Sequence, residues 1–141
     1  MAARRVLQMR LVVEADDYDD ALTFYRDVLG LPEELAVSGP GGARVSILDA
    51  GRATLELANP AQKRYIDEVE VGRQVAPRLR VAFEVADASG MTQRLADGGA
   101  QVIAPPTVTP WRSRNARLEG PAGLQLTLFQ ELGSSDEPGP A

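Results

Sequence analysis

Apolar and polar positions alternate in some stretches of the chain and follow helical spacing in others, which predicts a mixed α and β fold. Alternation over residues 8–14 predicts a first strand. An acidic run follows, and apolar side chains then recur at helical spacing until Gly30 ends the pattern. A helix is therefore predicted over residues 17–29, with Phe24 and Tyr25 on its buried face. Three shorter strands are predicted after it, at residues 33–38, 43–48 and 53–58.

The same order of elements is predicted a second time after a polar segment, residues 59–78, which we interpret as a linker or a lid. Residues 79–85 alternate like the first strand, and the helical spacing that follows ends at Gly98-Gly99. A rigid proline-rich loop is predicted to end at Trp111. The other strands of this half are predicted at residues 100–103, 113–118 and 124–130.

Each half therefore has the order β-α-β-β-β. Arg10 corresponds to Arg80 at an offset of 70 residues, and Glu56 corresponds to Thr127 at an offset of 71. A near-constant offset of half the chain indicates an internal structural repeat. The alternative is an ordinary α+β sandwich whose halves resemble each other by accident.

Composition excludes several classes of function. The net charge is −5 and no cluster of lysine or arginine occurs, so nucleic-acid binding is not expected. No apolar run approaches the roughly 20 residues of a membrane span. The chain has no cysteine, which fits a cytoplasmic protein, and no histidine, which excludes a histidine base, triad or metal ligand. Its 141 residues suit one domain, with a tail at residues 132–141 predicted to be disordered.

Three stretches of the sequence carry a family resemblance. They are LVVEADDYDDALTFYRDVLG at residues 11–30, LRVAFEVADASGMTQRLADGG at 79–99, and ARLEGPAGLQLTLF at 116–129. In combination they resemble the vicinal-oxygen-chelate superfamily, the group of glyoxalases, bleomycin resistance proteins and extradiol dioxygenases. The resemblance implies an α+β fold of tandem βαβββ modules that form a cupped, open-barrel mixed sheet with a ligand on the concave side, commonly in a homodimer. It also implies one domain over residues 1–131, with modules at about 8–58 and 79–131.

The resemblance further implies four residues that line the cup and bind a metal ion, typically His, Glu, His and Glu. In this sequence the matching positions are Arg10, Glu56, Arg80 and Thr127, and only Glu56 keeps the pattern. Arginine stays protonated and offers only donors, so it cannot ligate a cation. The sequence therefore predicts that the metal site is lost and that no metal cofactor is bound.

Strand alternation predicts what the cup holds instead. The face that carries Arg10 and Arg80 should also present Glu14, Glu56, Glu84 and Thr127. The opposite face is apolar and should pack beneath the helices, with Leu11, Val13, Val81, Phe83, Val85, Leu124, Leu126 and Leu128. Three interpretations of the charged set stay open: a salt-bridge network, an arginine that captures a planar anion such as a carboxylate, and a general base at Glu56 or Glu84.

Trp111, the only tryptophan, is expected near the mouth of the cup, where it would stack on a planar ligand, cover the core or meet a partner subunit. The leading hypothesis is metal-independent binding of a small organic ligand, anionic or planar, by a cytoplasmic homodimer similar to the bleomycin-resistance branch. One alternative is an enzyme, either a glyoxalase-like lyase or isomerase or a dioxygenase relative that uses carboxylate chemistry. The other is a dimeric interaction module without a ligand.

Overall fold

The structure of the protein, a computed structural model, describes residues 5–133. Eight strands are present: β1 (Val6–Glu14), β2 (Glu33–Ser38), β3 (Arg44–Asp49), β4 (Thr54–Ala58), β5 (Leu79–Val85), β6 (Gln101–Val108), β7 (Ser113–Glu119) and β8 (Gln125–Glu131). The α-helices are α1 (Tyr18–Leu22), α2 (Pro60–Glu70) and α3 (Ala88–Asp97). Within this part of the chain, none of the helices has both the length and the apolar character needed to cross a membrane.

All eight strands form one mixed sheet in the order β2-β3-β4-β1-β5-β8-β7-β6. The order is symmetric about the antiparallel β1–β5 pair, because each half places its first strand at the centre and its second strand at an edge. Among the described residues, β2 and β6 do not pair with each other, so the sheet stays open. The predicted α+β fold of paired βαβββ modules in an open, cupped sheet is confirmed.

The strand register makes the two halves equivalent residue by residue. In the central β1–β5 pair, Arg10 lies opposite Ala82 and Val12 lies opposite Arg80. In the next pairs outward, Val12 of β1 lies opposite Glu56 of β4, and Ala82 of β5 lies opposite Thr127 of β8. Arg10 and Arg80 therefore occupy equivalent positions, and so do Glu56 and Thr127. Side chains that lie directly opposite each other share a face, so all four belong to the same side of the sheet.

The convex face of the sheet is covered by α1 and α3. Tyr18 and Leu22 of α1 pack in one apolar cluster with Leu48 and Leu57. A second cluster packs beneath α3 and contains Val85, Ala88, Ala116, Leu118 and Leu128. Since the helices cover only part of this face, Leu11 and Leu124, both predicted to be buried, are 37% and 40% exposed.

The concave face is crossed by α2, which lies in the segment predicted to be a linker or lid. The Asn59 side chain accepts a hydrogen bond from the N–H of Gln62 at 2.8 Å, and Pro60 occupies the first turn. An asparagine cap followed by proline is a strong helix start. α2 contacts β3, β4 and β7, so it lies over the sheet rather than beside it.

The predicted helix over residues 17–29 is only partly an α-helix. After Leu22 the chain continues as a π-helix over Thr23–Val28, in which the N–H of Leu29 donates to the carbonyl of Phe24 at 2.8 Å. This wider turn breaks the 3.6-residue spacing on which the prediction depended. Tyr25 still packs against the α1 cluster, but the prediction for Phe24 is wrong, because its side chain is 54% exposed.

Several boundaries also differ from the sequence predictions, and two of them have a clear physical reason. β6 continues through Pro105 and Pro106, which were predicted to belong to a rigid loop. Proline is tolerated there because β6 is an edge strand and because the register shifts at this point. Leu132, predicted to lie in the disordered tail, is buried, and its N–H donates to the carbonyl of Arg112 at 3.0 Å. Gly133 is also described, and residues 134–141 of that tail lie outside the described residues.

Candidate functional site

The concave face of the sheet and α2 enclose a cavity of about 640 Å³, which we call the cup. The volume is in the range of small-molecule sites. Val12, Ala82 and Phe129 pack together as a buried apolar floor. Polar groups reach the cup from the central strands, from β7 and from α2, so a ligand would meet an apolar floor with a few charged groups.

Five of the seven residues predicted for the site line the cup: Arg10, Glu56, Arg80, Trp111 and Thr127. Glu14 does not line it. It lines a separate small cleft together with Lys63 of α2 and Arg78. Glu84 lies outside the lining of the cup, beside Glu131. Burial raises the pKa of the Glu84 carboxyl, and the neighbouring Glu131 raises it further.

Arg10 has partners on several sides. Its guanidinium lies 3.8 Å from a carboxylate oxygen of Glu56 and 3.8 Å from one of Glu131. It also donates to Gln8 at 2.6 Å and stacks over the Phe129 ring at 4.6 Å from the ring centroid. These contacts favour the salt-bridge interpretation for Arg10.

Arg80, although equivalent by symmetry, has different surroundings. Only 6% of its surface is exposed, and its guanidinium donates to the Thr127 hydroxyl at 2.6 Å. Among the described residues, no carboxylate lies within ion-pairing distance of it. Burial lowers the pKa of Arg80, while Glu70 and Glu56 oppose this through space. Arg80 therefore points a buried cation into the cup without a direct ion pair.

Glu56 shares the cup face with the two arginines and lies 3.8 Å from the Arg10 guanidinium. Burial raises the pKa of its carboxyl above the ordinary value, and the positive charges of Arg80 and Arg10 offset this only in part. The folded state therefore holds a proton on Glu56 more tightly than the unfolded state does. Consequently the contribution of Glu56 to stability falls as the pH rises from the ordinary pKa through the folded-state pKa.

Glu56→Gln is expected to raise the free energy of unfolding by about 1 kcal/mol at alkaline pH, because burial disfavours the ionised carboxylate more than the two arginines favour it. The gain should shrink as the pH falls through the folded-state pKa, because the wild-type carboxyl then becomes protonated. Urea denaturation over a series of pH values measures this. Glu68→Gln, an exposed glutamate of α2, is the matched control and should change little. A gain that is equal or larger in acid would contradict the prediction.

A buried ionic network joins α2 to the sheet beside the cup. The fully buried guanidinium of Arg117 contacts Asp67 at 2.8 Å and Glu70 at 2.6 Å. The second oxygen of Glu70 accepts from Asn115 at 2.6 Å, and Gln125 accepts from Arg117 at 2.9 Å. This network fixes the side of α2 that faces the cup.

Sequence reasoning did not find Tyr65, Glu70, Asn115 or Arg117. One signal was available on β7, where Asn115 and Arg117 alternate with Ala116 and Leu118 and so predict a polar inner face. The spacing of Gln62, Ile66 and Glu70 places them on one side of α2. No sequence signal located α2 over the sheet.

The residues at the four cup positions do not fit a divalent metal ion. Arg80 already donates to Thr127, and Arg10 faces Glu56, so one carboxylate remains where four ligands would be needed. Within residues 5–133, no group of three or more His, Cys, Asp or Glu side chains is placed to hold a metal.

Comparisons with known proteins agree with the fold. A family model described as the glyoxalase/bleomycin resistance protein/dioxygenase superfamily matches residues 8–128. No curated protein matches the chain in sequence. Among solved structures, the hypothetical protein BH1468 from Bacillus halodurans C-125 is similar with a TM-score of 0.70 at 18% identity, covering 96% of this chain and 100% of that one.

Several similar structures carry an enzyme name, and two of them serve as examples. Methylmalonyl-CoA epimerase from Mycobacterium tuberculosis has a TM-score of 0.64 at 19% identity and covers 94% of each chain. A Streptomyces coelicolor methylmalonyl-CoA epimerase variant in complex with 2-nitronate-propionyl-CoA has a TM-score of 0.62 at 21% identity, covering 94% of this chain and 100% of that one. At these identities the likeness shows the fold alone.

Proposed function

Because the chain belongs to the glyoxalase/bleomycin resistance protein/dioxygenase superfamily, we propose that it binds a small organic anion in the cup without a metal ion. The anionic group, such as a carboxylate, pairs with Arg80, and the rest of the ligand lies on the apolar floor. Sequestration of a small molecule in this way would resemble the bleomycin-resistance branch. A cytoplasmic location and a homodimer belong to the same proposal.

The observation that carries the proposal is the state of Arg80. A buried charge is costly unless it is paired, and a guanidinium keeps its proton even when buried. Arg80 has a hydroxyl partner in Thr127 but no carboxylate in direct contact among the described residues. A ligand carboxylate would supply the missing charge and accept two parallel hydrogen bonds.

The different surroundings of Arg10 support the assignment of the ligand anion to Arg80 alone. Arg10 lies close to Glu56 and Glu131 and is stacked on Phe129, so an added anion there would meet two carboxylates. The absence of a metal-binding side-chain set at the four cup positions supports a site that works by charge pairing and shape.

Arg80→Met tests the proposal with two probes of the same shape, cyclohexanecarboxylate and cyclohexanecarboxamide. Calorimetry on the wild type should show the carboxylate binding about 10- to 100-fold more tightly, because a charge-assisted hydrogen bond contributes about 1.5–3 kcal/mol. Arg80→Met should abolish this ratio. Arg78→Met, at an exposed arginine that is also ion-paired, should leave it unchanged. A ratio that survives in Arg80→Met would overturn the proposal.

A second candidate function is an enzyme of the lyase or isomerase class with Glu56 as the general base. Its support is a buried carboxyl of raised pKa in the cup, together with the epimerase names of two similar structures. Under this alternative, Glu56→Gln would keep ligand affinity and lose turnover of a compound with an acidic C–H next to a carbonyl. If the wild type binds such a compound but does not convert it, the binding function is supported and the enzyme alternative is excluded for that compound.

A further inference from the structure

Two aromatic side chains stand together at one side of the cup. Tyr65 of α2 and Trp111 of the loop before β7 both line the cavity, with ring centroids 6.0 Å apart and planes inclined by 57°. Trp111 is 43% exposed, which is unusual for a residue with so large an apolar surface. A ring that is neither buried in the core nor fully in solvent, at the edge of a cavity, is placed to contact a ligand.

Backbone hydrogen bonds close the loop that carries Trp111. Thr109 is fully buried, its N–H donates to the Ser113 carbonyl at 2.8 Å, and the N–H of Arg112 donates back to the Thr109 carbonyl at 3.1 Å. Arg112 has φ of 61°, in the left-handed region that residues other than glycine seldom adopt. Strain of this kind persists only where the surroundings over-determine it and is concentrated at ligand sites.

We propose that Tyr65 and Trp111 form a second subsite that selects ligands with a planar, unsaturated group, so that the ligand class is an aromatic carboxylate. The inference rests on the proposed function, since Arg80 and the aromatic pair line the same cavity. The carboxylate lies against Arg80 and Thr127, and the ring lies on the face of Trp111. The inclined Tyr65 then meets the edge of that ring, which is a favourable aromatic geometry.

Benzoate and cyclohexanecarboxylate, which have the same charge and nearly the same size, test the inference. Benzoate is expected to bind about three- to tenfold more tightly to the wild type, the gain typical of one aromatic contact. Trp111→Leu should remove this preference, whereas Trp111→Phe should keep it. Phe24→Leu is the matched control, because Phe24 is also an exposed aromatic but does not line the cup. Since Trp111 is the only tryptophan, its emission should change on benzoate binding, and this change should be lost in Arg80→Met.

The outcomes separate the inference from the function on which it rests. The wild type could bind benzoate and cyclohexanecarboxylate with equal affinity, and both more tightly than cyclohexanecarboxamide. This result would overturn the aromatic subsite and leave the anion site supported. The same holds if Trp111→Leu keeps the preference for benzoate while its unfolding midpoint matches the wild type. If neither carboxylate binds more tightly than the amide of the same shape, the proposed function is overturned, and the inference that rests on it is overturned as well.

Discussion

Arg117→Met is expected to lower the free energy of unfolding by about 3–5 kcal/mol, because it breaks a buried ion pair by removing one partner. The guanidinium of Arg117 is fully buried and holds Asp67 at 2.8 Å and Glu70 at 2.6 Å. Methionine fills much of the same space but leaves two buried carboxylates without a cation. Urea denaturation followed by circular dichroism measures the loss.

Arg78→Met is the matched control for this substitution. Arg78 also forms an ion pair, with Asp16 at 3.0 Å, but both side chains are largely exposed, so the expected loss is below about 1 kcal/mol. If Arg117→Met fails to fold, the combined variant Arg117→Met/Asp67→Asn/Glu70→Gln should fold, because none of the three network positions then carries a charge. A loss at Arg117 no larger than at Arg78 would show that the network does not stabilise the fold.

Asp67→Asn is expected to cost about 2 kcal/mol at neutral pH and much less in strong acid. Burial by itself would raise the pKa of Asp67, but the N–H groups of Ala76 and Val75 and the Arg117 guanidinium together lower it below its ordinary value. Both N–H groups donate to one carboxylate oxygen at 2.9 Å. The folded state therefore binds this proton more weakly than the unfolded state, and the stability it contributes is lost as the pH falls through the folded-state pKa.

Denaturation of the wild type and Asp67→Asn over a series of acidic pH values checks this dependence. The two stability curves should converge as the pH falls. Asp19→Asn provides the comparison at an exposed ion pair, with Arg44 at 2.9 Å, and should follow the wild type closely. A difference between Asp67→Asn and the wild type that stays constant with pH would contradict the prediction.

The sequence predicted the sheet well, because strand alternation and the internal repeat depend on local spacing. It predicted the equivalence of Arg10 with Arg80, a relation that follows from the parity of two strands and from their near-constant offset along the chain. It failed at the π-helix, where one extra residue in a turn moves Phe24 to the surface without changing the apolar pattern. It also assigned Pro105 and Pro106 to a loop, since an edge position is a property of the assembled sheet.

Prediction of the site was limited by contacts between elements distant in the chain. Alternation placed Glu56 and Arg80 on the cup face, yet their different partners depend on β8 and α2. Glu70 reaches the cup only because Arg117, 47 residues further along, holds α2 over the sheet. Glu14 shares its strand face with Arg10, but α2 separates it from the cavity. Strand parity therefore predicted correctly which side chains lie on the concave face of the sheet. It could not predict which of them line the cup, because α2 divides that face.

The two edges of the open sheet are unequal in a way that limits assembly. β2 presents a fully exposed strand, including Leu35 and Val37, whereas β6 carries Pro105 and Pro106, which lack the N–H groups needed to add a neighbour. Within residues 5–133, β2 is thus the edge better suited to accept another strand. Two β2 edges can pair with each other, and the prolines of β6 oppose growth from the opposite side, so strand addition of this kind would end at two copies.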